Sequence, residues 1–381
     1  ARIIEIFTQF FGKSNIRATD DFFELGGDSL KGMTLTERIN KALGSKLTIT
    51  DLYQHSTVAK LVAALSEESL EQSAQSSIPK ASEKESYPLS SSQKRMYFLQ
   101  QMDESSTVYN EAKAYWIKGA IDKVKLEDAF RQLIQRHESL RTVFHFEAGA
   151  ARQSILDSFE FEIEQMACPP EGVTAAIRKF TRPFDLSKGP LLRIGLVEQS
   201  AEEHLLLINA HHIITDLTSL AILTREFMAL YTGQSLPEIK LQYKDFADWQ
   251  QSEAQQKQIE AQKTFWLEEF AEEPAVLELP YDFPRPKVKG HAGDLKHFEI
   301  GGQVYEKLRT ISSEEGVSMY MLVLSLCNIF LSKLSSQEDI VIGSGIAGRQ
   351  HADLEDVIGM FVGTLPMRNH PKGGLRFKEF L

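Results

Sequence analysis

The sequence predicts a multidomain protein in which an all-α helical bundle is followed by a larger domain of mixed α/β class. Apolar residues recur at helical spacing three times before residue 66. A serine-rich, charged stretch over 67–86 separates this region from the rest of the chain. Beyond it, helical and strand-like patterns alternate, as is typical of α/β domains. The 381 residues suffice for two or three domains of ordinary size.

Each helix of the predicted bundle has one apolar face. Apolar residues stand three, four, seven or eight positions from the first one, which is the spacing of a helical face. They are Ile3, Phe7, Phe10 and Phe11, then Leu35, Ile39, Ala42 and Leu43, then Val58, Leu61, Val62 and Leu65. Short amphipathic helices bury such faces against one another, so residues 1–66 are predicted to form a small bundle.

Residues 67–86 are predicted to be a solvated linker. Serine and charged residues dominate the stretch, Pro79 interrupts it, and its larger apolar side chains are Leu70 and Ile78. Such a segment buries too little apolar surface to offset the chain entropy that is lost on ordering. The larger domain is then expected to occupy residues 87–381.

Several segments of the larger domain have a clear pattern. Residues 126–134 have helical spacing, 142–146 and 205–208 are strand-like, and a helix is expected over 217–231. The most apolar run, 317–334, is interrupted by polar residues and is predicted to be a buried helix rather than a membrane span. The final segment RFKEFL has the pattern of the start of another helix, so this domain is expected to be incomplete at its C-terminal end.

Composition excludes several classes of protein. Acidic residues number 53 and basic residues 42, and the formal net charge is −11. No basic stripe interleaved with aromatic residues is present, so no nucleic acid partner is predicted. The N-terminus lacks the pattern of a signal peptide. Cys168 and Cys327 have no metal-binding spacing around them, so a reducing cytoplasm is the predicted location.

The segment FFELGGDSL, residues 22–30, combines a glycine turn with the start of a helix. Gly26 and Gly27 permit a sharp turn, which leaves Ser29 exposed where the amphipathic helix begins. One interpretation is a serine that caps a helix. The segment also resembles the carrier protein domains of nonribosomal peptide synthetases. That resemblance implies that a phosphopantetheinyl transferase attaches 4′-phosphopantetheine to Ser29 and that this arm carries an aminoacyl or peptidyl thioester.

The segment NAHHIITDLTS, residues 209–219, follows an apolar strand. Neighbouring residues of a strand face opposite sides, so His211 and His212 are not expected to point the same way. A zinc site needs histidines four positions apart and a further ligand, so no metal is predicted. Two interpretations remain open: a hydrogen-bonded core histidine, or one imidazole that faces a reacting amine or thioester while Asp216 holds the local structure.

Four further segments surround this one in a fixed order. They are SSSQKRMYFL from residue 90, RHESLRTVF at 136–144, YKDFADWQ at 243–250 and IGMFVGTLPMR at 358–368. With HHIITD they resemble the ordered motifs of condensation domains from bacterial peptide antibiotic synthetases of the tyrocidine and surfactin type. The resemblance implies a chloramphenicol-acetyltransferase-like fold of two lobes, of which the first is complete in this chain and the second partial.

The same resemblance implies roles for four residues. His212 is the catalytic residue, His211 shapes the wall of the active site, and Asp216 forms a structural ion pair with Arg141. The chain departs from the motifs at Leu217, where glycine is usual. It departs again at Gly363, where asparagine is usual. Both departures are expected to affect efficiency or substrate choice rather than the assignment of the histidine.

The implied reaction is amide bond formation. The donor acyl thioester on the carrier is attacked by the amine of an aminoacyl thioester on a downstream carrier domain. Neighbouring adenylation domains are further expected partners, and no membrane is expected. Two alternatives remain: an epimerization domain, which shares the paired histidines, and a catalytically silent module that docks carriers.

The segment GSGIAG, residues 343–348, matches a dinucleotide-binding pattern. That function requires an amphipathic helix next and an acidic residue about 20 positions further on. RQHAD follows instead, and Arg368 stands where the acidic residue is needed. The match is therefore predicted to be accidental.

Overall fold

The computed structural model describes residues 2–27, 29–45, 47, 49–67, 77–287, 290 and 293–381. The first part of the chain is a bundle of α1 (Arg2–Phe11), α2 (Ser29–Leu43), α3 (Ile49–Gln54) and α4 (Val58–Glu67). The three predicted helices are confirmed. The sequence pattern missed α3, because six residues are too few to show a helical period. The buried core consists of Ile3, Phe7, Ile16, Phe22, Leu35, Ile39, Leu47, Leu52, Val58 and Leu61.

The described half of the predicted linker packs on the larger domain. Residues 68–76 lie outside the described residues. Ile78 is 4% exposed and belongs to a cluster with Leu241 and Val357. The backbone nitrogen of Ala81 donates to Oδ1 of Asp245 at 2.8 Å. Most residues of this half are exposed, as expected for a solvated linker, but one buried apolar side chain and specific backbone hydrogen bonds hold it against the larger domain.

The larger domain contains nine helices and nine strands among its described residues. The helices are α5 (Ser91–Met102), α6 (Lys123–Arg136), α7 (Val173–Phe180), α8 (Leu217–Tyr231), α9 (Tyr243–Trp249), α10 (Glu253–Glu269), α11 (Gly302–Glu314), α12 (Met319–Ser335) and α13 (Phe377–Phe380). The strands are β1 (Tyr87–Pro88), β2 (Asn110–Lys118), β3 (Thr142–Glu147), β4 (Ala150–Ile155), β5 (Glu164–Met166), β6 (Leu192–Ser200), β7 (Glu203–His211), β8 (Ile340–Ile346) and β9 (Gly363–Asn369). The predicted α/β class and the predicted helix near the C-terminus are confirmed.

The central sheet positions the histidines. Its strand order is β2-β7-β6-β5, with β7 antiparallel to both β2 and β6. Every residue of β7 after Glu203 is buried. One face of the strand packs against α6 and α8, and Leu205 and Leu207 on the other face pack against α7. A strand covered on both faces reads as a continuous apolar run, and this one ends at His211.

The remaining strands form two smaller sheets, β1-β4-β3 and β8-β9. The GSGIAG segment begins within β8, which pairs antiparallel with β9. A 3-10 turn over 352–354 comes next among the described elements, where a dinucleotide-binding unit requires a helix. The structure therefore agrees with an accidental match.

Helix α12 confirms the predicted helix over 317–334 but not its burial. Leu322 and Asn328 are buried, whereas Phe330 is 61% exposed. In the part of the chain that the structure describes, nothing covers that face. No single described helix has both the length and the hydropathy to cross a membrane. Helices α11 and α12 meet the length and composition criteria together, as a pair bent by 108°.

Candidate active site and carrier serine

The two histidines stand at the junction of β7, a 3-10 turn over 212–214 and the start of α8. The backbone nitrogen of His212 donates to the carbonyl oxygen of Tyr109 at 2.8 Å, which ties the turn to the residue before β2. The turn sends the two neighbouring rings into different surroundings, as the alternation of a strand predicts.

His211 is a fully buried, neutral residue. Its Nδ1 accepts a hydrogen bond from the backbone nitrogen of Ile213 at 3.1 Å, and its Nε2 lies 3.2 Å from Oε1 of Gln100. Nε2 is therefore the protonated nitrogen, because the amide oxygen can only accept. Burial, and then the neighbouring His212, lowers the pKa of His211 to about 3. The ring shapes the site as a neutral group.

His212 is the histidine that solvent reaches, with 25% of its side chain exposed. Its Nδ1 lies 2.6 Å from the carbonyl oxygen of Thr215. A carbonyl accepts hydrogen bonds and cannot donate them, so this contact puts the proton of the neutral ring on Nδ1. The lone pair is left on Nε2, which is then the nitrogen that can accept a proton or a hydrogen bond.

Asp216 is the hub of a buried network. It caps α8 by accepting from the backbone nitrogen of Ser219 at 2.7 Å. Arg349 donates to its Oδ2 through Nη1 at 2.9 Å, and the two side chains are 3% and 4% exposed. Nη2 of Arg349 also donates to Oγ of Ser219 at 2.9 Å and to the carbonyl oxygen of Val357 at 3.0 Å. The backbone nitrogen of Phe361 completes the set on Oδ2 at 3.2 Å.

The predicted ion pair between Asp216 and Arg141 is wrong. Arg141 directs Nη1 to the carbonyl oxygen of Leu156 at 2.6 Å. It precedes β3, whose sheet is separate from the one that ends at the histidines, and its role there is to fasten β3 to the end of β4. Arg349 pairs with Asp216 instead.

The other motif segments converge around this network. The hydroxyl of Tyr243 bonds to Oγ of Ser90 at 2.8 Å and donates to the carbonyl oxygen of Met360. Oγ of Ser219 donates to the carbonyl oxygen of Gly359 at 2.9 Å. Four of the five predicted motif segments therefore meet at one place behind the histidine turn.

The fifth motif segment, RHESLRTVF, braces the helices beside the turn. Nε2 of His137 lies 2.7 Å from Oε2 of Glu226 on α8, and Nε of Arg136 donates to the same oxygen at 2.9 Å. Glu138 pairs with Lys244 on α9 at 2.9 Å. This motif therefore supports the site from behind rather than through Asp216.

Three residues near the histidines were missed by sequence reasoning. Arg349 lies 133 positions from its partner Asp216. Glu111 lies 101 positions from His212, and Gln100 lies 111 positions from His211. Arg349 follows the accidental GSGIAG match directly. No local pattern marks any of them, because their significance depends on contacts that only the fold creates.

The two departures from the condensation motifs cause no local disruption. Leu217 is the first residue of α8 and is 72% exposed, so its bulk points toward solvent. A side chain at Gly363 would meet Ile346 at 3.4 Å, which is an ordinary contact distance. Neither position is therefore a backbone constraint in this chain.

Ser29 is the first residue of α2, and it is preceded by a turn that glycines make. Gly26 has a φ of +98°, a conformation that side chains disfavour. A Cβ on Gly27 would lie 2.4 Å from the buried ring of Phe22. The turn therefore brings the chain close to the bundle core just before α2 begins. A helix N-terminus suits the phosphate of a phosphopantetheine arm.

Family comparisons agree with this division of the chain. The condensation domain model matches residues 83–381, and the phosphopantetheine attachment site model matches residues 1–65. The chain is 42% identical over 381 residues to tyrocidine synthase 3 of Brevibacillus parabrevis and 43% identical over 381 residues to bacitracin synthase 2 of Bacillus licheniformis. These alignments cover all of this chain but only 6% and 14% of the two relatives.

Solved structures support the fold of the larger domain. The X-domain from teicoplanin biosynthesis matches with a TM-score of 0.72 and 25% identity, covering 80% of this chain and 70% of that one. The first condensation domain of the CDA synthetase matches with a TM-score of 0.60 and 19% identity, covering 77% and 73%. The predicted chloramphenicol-acetyltransferase-like fold class is confirmed.

The chain belongs to the condensation domain family and has a phosphopantetheine attachment domain ahead of it. It combines a carrier domain and a condensation domain of the nonribosomal peptide synthetase type. Its carrier domain is of the type that takes 4′-phosphopantetheine on a serine. Within the described ranges, no group of three or more His, Cys, Asp or Glu side chains is placed to hold a metal ion.

Proposed function

We propose that this chain transfers an acyl group from its own carrier to an amine held on a downstream carrier. The observation that carries the proposal is the state of His212, a partly exposed imidazole whose Nδ1 is engaged and whose Nε2 has its lone pair available. The buried pair of Asp216 and Arg349 holds the turn on which this ring stands. Such an arrangement suits a group that must meet a substrate in one fixed orientation.

Ser29 is the residue we propose for attachment of the carrier arm. When bound, 4′-phosphopantetheine supplies a flexible thiol that holds the acyl group as a reactive thioester. Its place as the first residue of α2 lets the helix N-terminus favour the phosphodiester. The rest of the bundle serves to hold the turn before Ser29 in a fixed conformation.

At the condensation site we propose that Nε2 of His212 receives the amine. It accepts a hydrogen bond from the attacking nitrogen, or takes the proton that this nitrogen loses when the new bond to the acyl carbon forms. Neutral His211 lines the site without competing for that proton, because burial keeps its pKa at about 3. Asp216 is bonded to Arg349 and to the start of α8, so it acts as structure and not as a base.

The further partners in this proposal are a downstream carrier domain, adenylation domains and their aminoacyl or peptidyl thioesters. No nucleic acid or membrane takes part, and the reaction takes place in the cytoplasm, in keeping with the unpaired cysteines Cys168 and Cys327. The silent docking alternative was motivated by Leu217 and Gly363. Because Leu217 is exposed and a side chain at Gly363 would make only an ordinary contact, neither residue supports the silent docking alternative.

Mass spectrometry of the intact chain tests whether Ser29 is the attachment site of the carrier arm. Incubation of the chain with coenzyme A and a phosphopantetheinyl transferase is expected to add one phosphopantetheine. Ser29→Ala should gain nothing, and Ser45→Ala, which changes a serine beyond the end of the same helix, should be modified like the parent chain. A mass gain by the Ser29→Ala chain would contradict the proposed site.

The condensation proposal is tested by product formation with both substrates loaded on carriers, in a protein that contains this chain and a downstream module. His212→Ala is expected to lower the rate about 10²-fold or more, which is typical for loss of a group that handles a proton. The matched control is Thr224→Ser, which changes an exposed residue on the outer face of α8. Full activity of the His212→Ala protein would refute the role. Exchange of the α-hydrogen for solvent deuterium would favour the epimerization alternative.

A further inference from the structure

Glu111 is a half-buried carboxylate beside His212 that no motif singles out. It lies on β2, directly opposite Ala210 in the register with β7. Its Oε1 is 3.7 Å from Nδ1 of His212, and its side chain is 19% exposed. Its other oxygen, Oε2, is buried and has no hydrogen-bond partner among the described residues. A buried carboxylate oxygen without a partner destabilises a fold, so its presence next to the reacting ring needs an explanation.

The surrounding charges distinguish Glu111 from the other acid near the turn. Asp216 is neutralised by Arg349 and fully bonded, whereas Glu111 faces His212 with no cation bound to it. Lys113, two residues along β2, is exposed. The pKa of Glu111 is raised above its usual value, first because the carboxyl is partly buried. His212 lowers this pKa, Asp216 raises it further, and Lys113 lowers it. Neutral His211 completes the set of titratable groups around the ring. The carboxylate therefore responds chiefly to its burial and to the charge on His212.

We propose that Glu111 is a positioning residue that stabilises the protonated form of His212 during amide formation. This inference rests on the proposed role of His212 in receiving the amine. When the amine nitrogen bonds to the acyl carbon, it loses a proton to Nε2. The ring is then positive, and it stands 3.7 Å from the carboxylate of Glu111 while Nδ1 stays bonded to Thr215. As the carbon–sulfur bond breaks, the proton passes to the departing thiolate, and His212 returns to its neutral form.

The assignment favours proton transfer over a purely orienting role for His212. Orientation of the ring needs only the bond from Nδ1 to the carbonyl oxygen of Thr215, which is already short. An additional negative group beside the ring contributes little to a neutral imidazole but stabilises an imidazolium by electrostatic attraction. The effect of Glu111 on the ring is therefore largest when the ring gains a charge.

The test follows the ring of His212 directly. Histidine ring signals of the chain are recorded by NMR against pH, and the signal of His212 is identified by its loss in His212→Asn. In Glu111→Gln, which keeps shape and removes charge, that signal is expected to change at a lower pH than in the parent chain, because the imidazolium loses a neighbouring negative charge. Glu111→Asp keeps the charge and should retain most of the parent midpoint. Glu203→Gln removes an exposed carboxylate about 24 Å away along the sheet and should leave the midpoint unchanged.

Condensation rates supply the second measurement. Glu111→Gln is expected to slow product formation about tenfold, which corresponds to about 1.4 kcal/mol of lost transition-state stabilisation, while the Glu203→Gln protein keeps the parent rate. An unmoved titration midpoint in Glu111→Gln overturns the inference, and so does a moved midpoint with an unchanged rate. Full activity of His212→Ala would instead refute the proposed function, because the NMR titration does not depend on catalysis. Tryptophan fluorescence verifies that each variant is folded.

Discussion

The carrier turn and the histidine turn both present one functional residue at a helix start, but they are built in opposite ways. At the carrier turn, Gly26, Gly27 and Ser29 lie within four consecutive positions. The buried ring of Phe22 packs against Gly27. At the histidine turn, the supporting groups are Arg349, Phe361 and a buried carboxylate network that comes from distant segments.

This difference follows from what each residue must do. A serine that another enzyme modifies has to be exposed and reachable, so local turn chemistry is sufficient. In the function we propose, the histidine meets two substrates and has to keep one orientation, which a single turn cannot hold. Buried charged pairs with several hydrogen bonds supply that rigidity, at the risk of a large loss when one partner is removed. The predictions below separate these two designs.

The largest effect is expected from Arg349→Ala. This change leaves Asp216 buried without its cation, which costs about 3–5 kcal/mol of unfolding free energy. Denaturant unfolding followed by tryptophan fluorescence measures it, because Trp116, Trp249 and Trp266 all lie in the larger domain. Arg141→Ala is the control and should cost only about 1 kcal/mol, for one lost hydrogen bond to a carbonyl. Equal losses in the two variants would contradict the assignment of the ion pair to Arg349.

A smaller effect is expected from the buried imidazole of His211. Its folded pKa of about 3 lies below the ordinary value of 6.5, so the unfolded chain binds more protons between these two values. Stability is therefore fully present above about pH 6.5 and is lost as the pH falls toward 3. At pH 5 the loss from this residue is about 2 kcal/mol.

The measurement compares the pH dependence of unfolding in the parent chain and in His211→Gln. The variant lacks the titrating ring, so its stability should fall less steeply between pH 6.5 and pH 3, by about 1.4 kcal/mol per pH unit. Parallel curves would show that the ring is not held neutral. The comparison of slopes is independent of any constant loss that the substitution itself causes.

The carrier turn is expected to show the smallest effect. In Gly27→Ala the new methyl group would overlap the ring and carbonyl of Phe22, which should cost about 1–3 kcal/mol through overpacking. Gly26→Ala has free space but an unfavourable φ, so about 1 kcal/mol is expected there. Hydrogen exchange of α1 and α2 measures the change, since the bundle has no tryptophan.

Gly345→Ala is the matched control, because that glycine has neither a positive φ nor a neighbour within 4 Å. It should leave the exchange of the bundle unchanged. A Gly27→Ala protein with parent-like exchange in α2 would show that the close approach to Phe22 does not restrain the turn. In both carrier variants, tryptophan fluorescence of the larger domain should be unaffected.

Residues that are close in sequence were the ones that sequence reasoning found. FFELGGDSL and HHIITD are contiguous, and their turn residues act through backbone geometry that a short segment sets by itself. No local pattern identifies Arg349 as the partner of Asp216. Arg141 was wrongly predicted to be that partner, because both arginines lie near a motif and nothing in the local sequence distinguishes them. Ile78 was misjudged for a similar reason, since one apolar residue in a polar stretch shows no period.

The sequence by itself determined the helical bundle, the α/β class, the position of Ser29 at a helix start and the histidine pair at a strand end. Apolar spacing and glycine turns act over a few residues, so these features need no distant partner. Only the tertiary structure decided which histidine is neutral and buried, which arginine binds Asp216 and that Glu111 faces His212. Burial and charge pairing act through space, between residues that can be more than 100 positions apart in the chain.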